Sequence, residues 1–104
     1  MEKTLQQALG SSATQDADSI TLDKTDLNLT DAVCTADQVI AAIMIKASPS
    51  LTQANFTDEE EQRTYITDGF ASTVSKFDTL YVVKQKILNL AKPEQIQELN
   101  PNDY

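Results

Sequence analysis

Residues 70–93 read FASTVSKFDTLYVVKQKILNLAKP, and two opposed patterns run through them. As a helix, Leu80, Val83, Ile87, Leu88 and Ala91 recur at spacings of three and four. As a strand, Tyr81, Val83, Gln85 and Ile87 alternate against Val82, Lys84, Lys86 and Leu88. Aromatic and β-branched side chains, which fit a pleated surface, concentrate at 81–83 and recur at Phe70, Val74 and Phe77. The stretch therefore predicts a strand over about 79–90 paired with a strand near 70–76. Asp68-Gly69 just before it is a turn signal. Beyond it, Pro93 opens a short helix with Ile96 and Leu99 as apolar contacts, stopped by Asn100-Pro101.

Working toward the N-terminus, residues 35–49, TADQVIAAIMIKASP, read as a helix. Thr35 and Gln38 stand at capping-box spacing, so each side chain can satisfy the other's free amide. Val39, Ile40, Ile43, Met44 and Ala47 fall on one helical face. Lys46 suits the negative end of the helix dipole, and Ser48-Pro49 stops it. Ile45 widens the apolar surface past a single stripe, which predicts packing on two sides, in the core or between subunits.

Between these two segments lies FTDEEEQRTYITDGF, residues 56–70, with four carboxylates from Asp58 to Glu61. Thr57 and Glu60 repeat the capping spacing, so the run reads as the first turn of a short helix over 58–62. Neighbouring side chains on a helix point in different directions, so Glu59, Glu60 and Glu61 cannot converge on one ion. Upstream, residues 19–30 alternate through Ile20, Leu22, Leu27 and Leu29, as two short strands or one bent strand. Asp23, Asp26, Asn28 and Asp31 lack the glycine and the terminal glutamate of a calcium loop and read as turn formers. Residues 1–18 are rich in Gln, Ser, Ala and Thr; Leu5, Ala8 and Leu9 form at most one amphipathic turn ended by Gly10. Little in 10–18 can be buried, which predicts a mobile arm.

The resulting expectation is an α+β fold. A flexible arm over 1–18 precedes one small domain over 19–99, in which a short antiparallel sheet packs on one main helix. A polar tail over 100–104 follows.

The chain has 104 residues, no His, two Gly and one Cys. Lacking His, it lacks the commonest general base and metal ligand and any Ser–His or Cys–His pair. With Gly10 and Gly69 as the only glycines, no phosphate-cradling loop is available. A carboxylate pair drawn from residues 58–61 or Asp68 is the remaining catalytic option, and it needs an enclosed cleft to raise one pKa. Cys34 reads as a small buried hydrophobe. No enzyme activity, cofactor, metal or small-molecule substrate is expected.

Charge separates along the chain. Residues 1–68 hold 12 acidic and 4 basic side chains, a net −8, whereas residues 69–104 hold 4 of each. Nucleic acid is an unsuitable partner for so acidic a surface. The first ten residues lack the apolar core of a signal peptide, and the apolar run at 39–45 falls far short of the ~20 residues that span a bilayer. A soluble protein, cytoplasmic at synthesis and without a membrane partner, is expected. The two poles suit head-to-tail contacts between copies, through Glu59 and Glu61 of one and Lys84 and Lys86 of the next, with Ile45 as an apolar contact.

TADQVIAAIMIKASPSLT, YITDGFAS and YVVKQKILNLAKP resemble, in texture, the small virion proteins of tailed phages and of phage-derived particles such as injection machines. The resemblance spans roughly 35–93 and carries no functional residue across. It implies a non-enzymatic structural subunit of a head, neck or tail, or a capsid-decoration protein, oligomeric or particle-associated and hence virion-associated. The alternative is a small acidic inhibitor or adaptor that occupies a basic partner surface.

Overall fold

The computed structural model describes residues 3–91 and 99–104. In chain order its elements are α1 (Leu5–Leu9), β1 (Thr14–Gln15), β2 (Ile20–Thr21), α2 (Ala36–Ala47), α3 (Gln53–Asp58), β3 (Thr64–Asp68), β4 (Ser72–Lys76), β5 (Thr79–Val83) and β6 (Lys86–Leu90). A 3₁₀ turn at Pro101–Asp103 follows. The class is α+β, as expected. The helix expected to open at Pro93 lies outside the described residues.

α2 forms as its sequence requires. Thr35 accepts from the Gln38 N–H, and Gln38 accepts in return from the Thr35 N–H at 2.8 Å. Ala42 and Ala47 are buried, and Val39, Ile43 and Met44 are half-buried. Ile40, expected on the core face, is instead exposed together with Ala41 and Ile45. The inward face is thus narrower than the apolar one.

The N-terminal segment expected to be a mobile arm is built into the body. Thr4 and Gln7 form a second capping box, and α1 packs against α2. The Ser50 hydroxyl donates to the Gln7 carbonyl at 2.9 Å, and the Gln6 amide donates to the Ala13 carbonyl at 2.7 Å. Ala8, Gly10 and Ala13 are buried by close approach, since none has a large side chain. β1 pairs antiparallel with β2 through an Asp16 turn. The Asp16 carboxylate accepts from the N–H of Asp18 and then from the N–H and hydroxyl of Ser19, which hold its pKa below the usual carboxylate range. Leu27 and Leu29 do not extend β2. Asp23 caps a turn by accepting from the Thr25 N–H at 2.7 Å, Leu29 N–H returns to the Lys24 carbonyl, and Asn28 takes a positive φ of 58°.

The acidic run does not open a helix. α3 starts five residues earlier, where Thr52 accepts from the Asn55 N–H at 3.1 Å and the Asn55 amide donates to the Ser50 carbonyl at 3.0 Å. Thr57 lies inside α3, Asp58 is its last residue and Glu59 its C-cap. That start seats Phe56 against Tyr65 of β3, with ring centroids 4.8 Å apart. The expected sheet is not laid on α2: β3 lies against α3, and the Ile66 N–H donates to the Leu51 carbonyl at 2.7 Å.

β3 to β6 form one long antiparallel ribbon in two sections. β3 pairs with β6 at its base, from Thr64↔Leu90 to Asp68↔Lys86. β4 pairs with β5 beyond, from Ser72↔Val83 to Lys76↔Thr79. The pairing of 72–76 with 79–83 is as expected, but the single strand over 79–90 is broken at Lys84-Gln85. Three residues, 69–71, there oppose two, 84 and 85, which is the count of a bulge. The Gly69 N–H donates to the Gln85 carbonyl at 2.9 Å, and the Phe70 N–H to the Gln85 side-chain oxygen at 3.1 Å.

The radius of gyration is 15.9 Å, and the extents are 46 × 32 × 26 Å. A compact chain of this length has about 13 Å, so much of the mass stands away from the centre. Among the described residues the buried apolar set is Ala8, Ala13, Leu27, Ala42, Ala47 and Ile66, joined by Gln62. Gln62 donates to the carbonyls of Thr64 and Thr52, whereas its buried side-chain oxygen has no partner.

Candidate protein-interaction surface

β4 and β5 project from the base as a hairpin, and residues 70–82 are exposed without exception. On one face of its ladder stand Val74 and Tyr81, with Ser72 opposite Val83; on the other, Thr73 opposes Val82 and Ser75 opposes Leu80. Val74 and Tyr81 are each 49% exposed, Val82 66% and Leu80 70%. An ordinary half-buried strand pair alternates apolar and polar faces. Here both faces carry apolar side chains, and no other part of the described residues covers either. A two-stranded hairpin on its own is marginal in water, because it lacks a surface to bury its apolar side chains against.

The tip sharpens the anomaly. Phe77 and Asp78 link the strands with φ of 50° and 61°, the left-handed pair of a two-residue type I′ turn. Such a turn suits Asn-Gly, because a bulky residue at positive φ crowds its own backbone. Phe77 is nonetheless there, 89% exposed, with the Lys76 ammonium 5.8 Å from its ring centroid. Replacing the pair by Phe77→Asn with Asp78→Gly should slow amide exchange across residues 72–83 by roughly tenfold, since the strained Phe77 costs of order 1–3 kcal/mol whereas Asp tolerates the left-handed region. Exchange at the original rate would show that the turn is unstrained.

The residues expected to make contacts lie apart. Ile45 is 64% exposed on α2, and Ile40, on a different side of the same helix, is 63% exposed. Lys84 is exposed at the break between β5 and β6. Lys86 is bonded within its own chain, its ammonium 2.6 Å from the Asp68 carboxylate. Glu59 is half-buried at the C-cap of α3, and Glu61 is exposed in the turn that follows. Within one chain, then, Lys86 is held by Asp68. The expectation of Cys34 as a buried hydrophobe is also corrected: it is half-buried, its thiol directed to the Asp31 carbonyl at 3.5 Å.

Among the described residues no three of His, Cys, Asp and Glu come together as a metal-binding group. A polar depression of about 570 Å³ gathers Lys3, Gln15, Arg63, Thr64 and Tyr104, and none of its described lining residues is Asp or Glu. It therefore holds no acid pair of the kind a hydrolytic cleft uses. A groove of about 490 Å³ is lined by Val74, Lys76, Tyr81, Val82, Val83 and Lys84 of the hairpin itself. The Phe77 turn was beyond sequence reasoning, because a backbone φ is not written in residue type.

No helix among the described residues is long and apolar enough to cross a membrane. No family model, curated protein or solved structure matches the chain.

Proposed function

We propose that this chain is a non-enzymatic structural subunit that works by packing, either with copies of itself or as part of a larger particle. The observation that supports this most is the uncovered ribbon. Phe70, Phe77, Leu80 and Val82 stand 66–89% exposed on a projecting element, where a monomer gains nothing from them. Contiguous apolar surface of this kind marks sites of protein association. The resemblance to small virion proteins of tailed phages and phage-derived particles makes a head, neck, tail or capsid-decoration component the specific form of the proposal.

The charge distribution supports a competing reading, an acidic inhibitor or adaptor that covers a basic partner surface. The two differ in salt dependence, since exposed charge contacts are screened and apolar packing is not. Size-exclusion chromatography with light scattering should give a mass that is a multiple of 11.4 kDa in high salt, or the chain should sediment with a particle from its native source. A monomer that enters no particle overturns the proposal, and a complex dispersed by salt alone transfers support to the adaptor.

A further inference from the structure

Resting on the assembly reading, the geometry points to one directed contact: the β4–β5 hairpin of one copy seats on the exposed face of α2 in a second copy. Area and charge together select that occupant. Phe70, Val74, Phe77, Leu80, Tyr81 and Val82 leave exposed on the order of 700 Å² of mostly apolar side chain over the two faces together, so a contact that takes in both faces approaches the ~800 Å² that each partner gives to a stable interface. The hairpin is thus large enough to serve as one side of a specific contact.

Charge decides what lies opposite. Across residues 70–84 Lys76 and Lys84 stand against Asp78, a net +1, and Lys86 beyond them is offset by Asp68, on a chain whose first 68 residues sum to −8. Charge therefore gives two hairpins no attraction for each other, while a hairpin and the body of another copy attract. Within that body, α2 presents exposed Ala41 and Ile45 one turn apart on one stripe, with exposed Asp37 one turn before Ala41 and exposed Ile40 to its other side. An apolar stripe ending in a carboxylate complements an apolar ribbon ending in the Lys84 ammonium. Neither Lys84 nor Asp37 has a side-chain ion pair or hydrogen bond among the described residues, so both are available, unlike Lys86, which Asp68 already holds. The contact joins unlike surfaces, so it closes either by reciprocal exchange of hairpins in a dimer or by a ring of copies. The strained Phe77 tip fits a contact element whose end must be aromatic despite its backbone cost.

Sedimentation equilibrium on the full-length chain tests this. Leu80→Asp and Ile45→Asp, both at exposed positions where circular dichroism should stay unchanged, are each expected to weaken self-association by about tenfold or more. Lys84→Glu and Asp37→Lys should each weaken it roughly fivefold, and the two together in one chain should recover most of the loss. An oligomer that all four variants leave at wild-type strength overturns the contact while leaving the assembly reading intact. A wild-type chain that stays monomeric also overturns it, and sedimentation with a particle then decides the assembly reading separately.

Discussion

Ile66→Ala should lower stability by about 3 kcal/mol, the middle of the range for truncating a buried Ile to Ala. Ile66 is the one large side chain of the ribbon that is buried, 8% exposed, where β3 meets α3. Its backbone N–H donates to the Leu51 carbonyl, so little movement of β3 is available to close the space a truncation leaves. A domain of ~100 residues loses about 4–8 °C of melting temperature per kcal/mol, which makes a fall of roughly 15 °C the expected reading in a thermal melt. Ile66→Val should cost only ~1 kcal/mol. Leu80→Ala on the same ribbon should cost under ~0.5 kcal/mol, because Leu80 is 70% exposed in the subunit and has almost no burial to lose. The contrast between base and tip carries the claim. If Leu80→Ala destabilised the isolated subunit as much as Ile66→Ala, the hairpin would be packed against its own body, and its availability to a second copy would be lost.

That contrast is also where the sequence stopped being legible. α2 could be read because two independent signals agree: a Thr35–Gln38 box at its start and apolar residues at helical spacing after it. The β4–β5 pairing followed from side chains that suit a strand wherever it lies. What such side chains do not state is whether anything covers them, and here nothing among the described residues does. The break at Lys84-Gln85 was hidden because Tyr81, Val83, Gln85 and Ile87 keep strict alternation across it. It arises from the opposite strand, where residues 69–71 supply one extra residue and the Gln85 side chain bonds the Phe70 amide in place of a ladder carbonyl. The acidic run was misplaced because two threonines compete as caps. Thr52 prevails over Thr57 since only that start puts Phe56 inside α3, in contact with Tyr65. The four carboxylates then fall at the negative end of a helix dipole, which disfavours them by ~0.3–1 kcal/mol each. They are tolerated there because Asp58, Glu60 and Glu61 are solvated. Of the expected contact residues, Ile45 and Lys84 are exposed, whereas Lys86 is diverted to Asp68.

Gly10→Ala should be comparably damaging, about 3 kcal/mol, though no side chain is removed. Gly10 closes α1 with φ 120° and ψ 146°, a region that a residue with a Cβ rarely enters. A Cβ built there would run into the Asp26 side chain, at both its Cβ and its carboxylate. Asp26 cannot simply swing away, because its carboxylate accepts from the Ser12 N–H at 2.9 Å and so ties the N-terminal segment to the loop before α2. Strain and clash therefore act together, and a double-mutant cycle separates them. Asp26→Gly alone should cost about 1–2 kcal/mol for the lost bond and the added backbone freedom. Gly10→Ala with Asp26→Gly should then cost clearly less than the two single changes added, because the Asp26 Cβ and carboxylate are both gone and only the φ strain is left. Hydrogen exchange locates the damage: amides over residues 4–15 should exchange faster in Gly10→Ala, while those of β3 and β6 keep their protection at temperatures below the melt. An unchanged melting temperature in Gly10→Ala would return the first residues to a loose arm. It would also free the surface of α2 that α1 covers, and the exposed stripe would cease to be the natural place for a second copy to dock.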